Sequence, residues 1–139
     1  MIGGGDFAND RIIPDCIRAA QKREDIVVRN PYSTRPYQHV LEPLFAYLMI
    51  VAKQYEDGKP FCEYMIGSGN AKPLKEFIRE MQQALAPDAV PLFGDVPFTG
   101  TNMPLETFST ADTEKDTGFK AQVSFAEGTR MTMDWLKTV

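Results

Sequence analysis

Histidine occurs once in these 139 residues and cysteine twice. Transition-metal centres draw mainly on clusters of those residue types. His39, Cys16 and Cys62 are far apart in sequence and form no CxxC, so no metal-ligand pattern is present. The two cysteines read as buried, reduced thiols of a cytoplasmic protein. Basic residues are outnumbered, 15 Lys and Arg against 19 Asp and Glu, for a net charge of -4. That argues against a nucleic-acid-binding face, which needs a basic surface. No long apolar run exists either. The most apolar stretch, residues 40–52, is interrupted by Glu42 and Pro43, and falls well short of the roughly 20 residues that span a bilayer. No basic segment followed by an apolar core opens the chain, so no secretory signal is read there. The phosphate-cradling patterns GxGxxG and GxxxxGK are missing as well.

What is present suits a single α/β unit covering residues 1–139, long enough for a real core. About four helices and a few short strands are expected. Residues 9–22 read as a helix capped by Asn9 or Asp10, with Pro14 tolerated in the first turn and Ile13, Ile17 and Ala20 on one face. Residues 26–29 read as a short strand. Residues 40–55 form a helix that is apolar almost all round, which implies burial on more than one side. Residues 64–66 read as a strand ending in Gly67-Ser68-Gly69. Pro73 opens an amphipathic helix with Leu74, Phe77, Ile78, Met81 and Leu85 inward. A strand is expected at 91–94, and a short helix at 112–117 ended by Gly118. Ser124 and Glu127 form a capping box for a last helix that buries Phe125, Trp135 and Leu136. His39, at the start of the apolar helix, reads as a hydrogen-bonded structural residue and not as a general base.

The chain is organised around residues 29–48, RNPYSTRPYQHVLEPLFAYL. Arg29 and Arg35 lie in or beside a loop stiffened by Pro31 and Pro36. A guanidinium fork matches phosphate oxygens and keeps its charge under partial burial. Spacing alone allows the plainer alternative of two solvated loop arginines.

This stretch resembles the RNPxSxRPxQHVLEPLxxYL segment of CDP-glucose 4,6-dehydratases, in the NAD-dependent epimerase/dehydratase branch of the extended short-chain dehydrogenases. The likeness continues through Ile2-Gly3-Gly4-Gly5-Asp6, the run from Asn9 to Ala19, Gly67-Ser68-Gly69, residues 111–119 and 124–128. It is strong over residues 3–69 and weaker over 70–102. The resemblance implies the C-terminal, substrate-binding portion of a nucleotide-sugar epimerase or dehydratase, with the NAD-binding Rossmann half and its catalytic tyrosine and lysine outside this chain. By itself the chain should then lack NAD binding and catalysis. Its ligand would be a nucleotide sugar. The family presents an arginine to the diphosphate at the position of Arg35, and a helix end there at Arg11 and Ile12. The strand before Arg29 would run along the base, which makes Arg29 a further candidate.

Tyr55 and Lys59 match YxxxK, the dyad of short-chain dehydrogenases. Gly58 and Pro60 break the helical turn that would bring the two together, so the match is rejected. The stretch 98–103 carries no basic residue where the family often places one, and that leaves base and sugar open. If a Rossmann sheet normally covers the helix at 40–55, its apolar face needs another cover, and a homodimer or a separate NAD-binding half would provide one. A non-catalytic binding or assembly module, pairing with itself or with such a subunit, is the alternative.

Overall fold

The structure is a computed structural model that describes residues 1–58 and 62–139. Lys59 and Pro60, on which the rejection of YxxxK partly turned, lie outside the described residues. Tyr55 is 90% exposed, near the end of a helix that Gly58 closes with φ 63°. The chain is α/β. In order it forms α1 (Ile12–Lys22), β1 (Ile26–Val28), β2 (Thr34–Pro36), α2 (Leu41–Asp57), β3 (Ala71–Pro73), α3 (Leu74–Leu85), β4 (Pro91–Phe93), a 3-10 turn (Leu105–Phe108), α4 (Ala111–Thr117) and α5 (Phe125–Leu136). The described residues thus hold five α-helices, one more than the approximate four expected.

Two small sheets position the rest. β1 and β4 pair in parallel, Ile26 opposite Pro91. β2 and β3 pair antiparallel, with Arg35 opposite Lys72. Alternation along β1 turns Ile26 and Val28 into the core and leaves Val27 out, as a half-buried strand requires. The core lies between α1, α3 and α5 and holds Ile13, Ile17, Phe77, Ile78, Met81 and Phe125. At its centre, Tyr37 and Phe77 meet edge-on with centroids 5.0 Å apart, and Phe77 meets Phe125 at 4.8 Å.

Several local expectations need correction. α1 starts at Ile12, with extended Arg11 at its N-cap and no side-chain cap. Neither Asn9 nor Asp10 serves, because Asp10 is left-handed at φ 62° and turns the chain away before the helix begins. Residues 64–66 belong to no strand. Side chains tie them instead: the Thr113 hydroxyl donates to the Met65 carbonyl at 2.7 Å, and the Tyr64 hydroxyl donates to Asp116 at 3.2 Å. The β2 partner is β3, which was not anticipated. Cys62 is half-buried, whereas Cys16 is buried as expected, and burial pushes the Cys16 thiol up to about 12.

The two largest departures concern apolar side chains. α2 buries only Glu42, Pro43 and Ala46, because no other described element covers its outer face. Leu44, Phe45, Leu48 and Val51 are at least half exposed. Trp135 is also 45% exposed. The inward face of α5 is taken by Phe125, Gly128, Thr129, Thr132 and Met133, a run at helical spacing that Trp135 falls outside. It stacks on Phe7 instead, at 5.8 Å. The capping box is half formed, with Ser124 Oγ accepting from the Glu127 N–H.

Removing the fully buried Phe77 ring should cost about 3–5 kcal/mol, because neighbours from three segments lose their contacts at once. Trp135→Ala, off the buried face, should cost less than half of that. Urea unfolding of the two variants beside the parent chain checks the ranking, and equal losses would contradict it.

Candidate functional site

The candidate site grows from residues 35–42, where nearly every side chain meets a different element. Arg35 is exposed on β2. Its Nη1 donates to the carbonyl of Thr34 at 3.2 Å, and no carboxylate among the described residues pairs with it. Two residues on, Tyr37 enters the core. Burial raises its phenol pKa above the ordinary value, while the guanidiniums of Arg35 and Arg11 pull it back down. Both arginines therefore act on one hydroxyl. Arg11, however, is engaged by Asp6 at 2.6 Å, an exposed pair worth little in stability that still competes for its donors.

Arg11, Ile12, Ile13, Asp6, Tyr37 and Thr132 line a cleft of about 100 Å³ at the start of α1. That is below the roughly 300 Å³ of a typical small-molecule site, although an anion can sit at such a helix end. The structure thus joins Arg11 and Ile12 in one cleft with Tyr37, whereas Arg35 does not line it. Arg29 does not join them. It follows β1, and its backbone is packed against Gly94.

Sequence reasoning missed two residues here. Glu42 is 7% exposed, and its Oε1 accepts from the backbone N–H groups of Gln122 and Val123 at 2.8 and 2.5 Å. Gln38 is buried, and its Oε1 has no hydrogen-bond partner among the described residues. Partners 80 residues away leave no local signal for Glu42, and for Gln38 only burial distinguishes an orphan amide.

His39 is the structural residue expected. It is buried, and its Nδ1 accepts from the Leu41 N–H at 3.4 Å. Gly3 and Gly128 crowd it from two sides. A Cβ at Gly3, where φ is +83°, would fall 2.5 Å from Nε2, and one at Gly128 would fall 3.2 Å from the His39 Cβ. Burial lowers the imidazole pKa, partly opposed by Glu42.

The described residues do not fit a dinucleotide. No strand runs through a glycine-rich turn into a helix start. β1 leads to Arg29, Asn30 and Pro31, and the first amides of α3 are already spent, Leu74 on the Ser33 carbonyl and Lys75 on that of Pro31, both at 2.9 Å. No reaction step is therefore derived through NAD.

Comparison with known proteins agrees with the likeness seen in residues 29–48. Over 63 residues the chain is 49% identical to CDP-glucose 4,6-dehydratase of Salmonella typhimurium, a match covering 45% of this chain and 18% of that enzyme. Sequence likeness to a known enzyme is thus shown over part of this chain. No family model matches it. The fold agrees across nearly the whole chain. The RMD enzyme of Pseudomonas aeruginosa, solved with NADPH, superposes with a TM-score of 0.74 at 19% identity, over 99% of this chain and 46% of that one. The dTDP-glucose 4,6-dehydratase of Bacillus anthracis, solved with NAD, gives 0.68 at 16% identity, over 99% and 42%. The chain thus spans less than half the length of these relatives.

His39 makes a pH prediction. Its folded pKa is lowered, so between that value and the unfolded one of about 6.5 the unfolded chain binds more protons. The stability that neutral His39 contributes should be intact above about pH 7 and lost as pH falls below about 6.5. His39→Gln keeps an acceptor for Leu41 but does not titrate. Its urea midpoint should change less between pH 7.5 and 5.5 than that of the parent, and parallel slopes would refute the assignment.

Proposed function

We propose that this chain forms the sugar-nucleotide-binding portion of an NAD-dependent nucleotide-sugar epimerase or dehydratase, with CDP-glucose 4,6-dehydratase the nearest activity. Arg35 grips the diphosphate, aided by Arg11 and the α1 end at Ile12, while Arg29 stands beside the base. The observation that carries this reading is the exposed guanidinium of Arg35, paired with no carboxylate among the described residues, in a stretch resembling the family's diphosphate-binding segment. The NAD site and the catalytic tyrosine and lysine belong to the other portion of the enzyme. On this reading the isolated chain binds a nucleotide sugar without turning it over.

Thermal shift tests the grip directly. A nucleotide sugar at about a hundred times its dissociation constant should stabilise the fold by roughly 2.7 kcal/mol. CDP-, UDP- and dTDP-glucose identify the base, and NAD should give no shift. A charge-assisted hydrogen bond contributes about 1.5–3 kcal/mol, so Arg35→Ala should weaken binding by at least about tenfold, with Arg35→Lys intermediate. No shift with any of the three sugars would sink this reading.

A second reading draws on α2. In its exposed row of Leu44, Phe45, Leu48 and Val51, the first three border a groove of about 650 Å³ that reaches Phe119 and Val123. A contiguous apolar face of this kind marks an interaction surface. It supports a binding or assembly module, a homodimer or a pair with a separate NAD-binding subunit. Light scattering should give twice the chain mass for the homodimer, and Leu48→Glu should return it to a single chain. A single-chain mass for the parent at micromolar concentration would refute the homodimer.

A further inference from the structure

Two residues of the loop after β4, Phe98 and Asn102, meet β2 at Arg35 and Thr34. Asn102 Oδ1 accepts from the backbone N–H of Thr34 at 3.1 Å, one residue before the arginine. Phe98, half-buried in the same loop, sets its ring under the guanidinium, with Cζ of Arg35 5.6 Å from the ring centroid. That lies within the roughly 6 Å reach of a cation–π contact. Gly100 makes room for the ring. A Cβ there would fall 2.6 Å from its Cζ atom.

The chemistry of this contact is directional. A ring can take the flat face of a guanidinium and leave the N–H donors at its edge pointing outward. Among the described residues, only the donor to Thr34 is used internally. An arginine free in solvent gives up side-chain entropy when a ligand immobilises it. One already resting on a fixed ring has given up part of that beforehand, and preorganisation of this sort appears as affinity.

We infer that Phe98 is the positioning residue for Arg35: it holds the guanidinium by its face and turns the free edge donors toward the diphosphate of a nucleotide sugar. The inference rests on the diphosphate role proposed for Arg35. It also gives a use to the stretch 98–103, which has no basic residue of its own. Here the loop supports a cation from β2 instead of supplying one.

Isothermal titration of the whole chain with CDP-glucose tests this in the parent, Phe98→Leu, Phe98→Tyr and Gly100→Ala. Phe98→Leu should weaken binding about fivefold, the worth of a solvent-exposed cation–π contact. Phe98→Tyr, which keeps the ring face, should restore parental affinity. Gly100→Ala, which displaces the ring without deleting it, should resemble Phe98→Leu. In an Arg35→Ala background, Phe98→Leu should cause no further loss. The Arg35 Nε–Hε resonance should carry a ring-current shift in the parent and the tyrosine variant and lose it in the leucine variant. Parental affinity in Phe98→Leu would overturn the positioning role while leaving the diphosphate reading intact. So would equal losses in the leucine and tyrosine variants, or an undiminished loss in the Arg35→Ala background. Failure of the parent chain to bind any nucleotide sugar would overturn both.

Discussion

The edge-on packing of Tyr37 against Phe77 is the contact on which the rest of the arrangement depends. Aromatic pairs of this geometry add about 0.5–1.5 kcal/mol beyond the area they bury, and Phe125 closes the third side. Each ring comes from a different segment. Tyr37 follows β2, Phe77 lies in α3 and Phe125 opens α5. Fixing Tyr37 fixes the backbone on both sides of it. Upstream that is Pro36 and Arg35. Downstream, Gln38 and Val40 exchange backbone hydrogen bonds with Ile2 at 2.9 Å, which brings the Gly3 turn against His39. A candidate anion site therefore sits at the rim of a packed core, and not on a free loop.

Glu42 extends the same logic toward α5. A carboxylate in the first turn of a helix is favoured by the positive helix end, and two backbone N–H donors satisfy it further. It is nearly buried, so its burial has to be matched by those bonds. They anchor the segment that leads into Ser124 and the start of α5. Residues 35–42 thus reach the loop at 94–104, the core, the first residues and the last helix in eight positions.

Much of this was legible beforehand where the signal was periodic. The inward face of α3, from Leu74 to Met81, and the strand at 91–93 followed from spacing and β-branched or turn residues. The motif at residues 29–48 singles out Arg35 as a candidate, and its diphosphate role is a proposal. What could not be read were pairings set by distance along the chain. β3 exists because Ala71–Pro73 lies beside Thr34–Pro36, and nothing in three residues declares that. Residues 64–66 have strand composition but find hydroxyl groups where a neighbouring strand would be needed. Trp135 looked like core because it is large, yet α5 buries the row 125, 128, 129, 132 and 133, and size does not move a residue around a helix. The support that Phe98 gives Arg35 spans 63 positions, and it became visible only with both loops in place.

α2 is where local and global requirements diverge. Its composition asks for burial on several sides, and the described chain meets that at three residues. Its first turn nevertheless continues directly from Tyr37, Gln38 and His39, the residues that hold β2 against the core. Any partner that binds the exposed row only in the folded state adds its binding free energy to that state. It also stiffens the segment leading back to Arg35. By linkage, such a partner and a diphosphate bound at Arg35 must favour one another to the same degree in both directions if they prefer the same arrangement of residues 35–42. The chain therefore carries its ligand candidate and its uncovered face at the two ends of residues 35–51, and where both ligands prefer one arrangement of that stretch, occupation of either end favours occupation of the other.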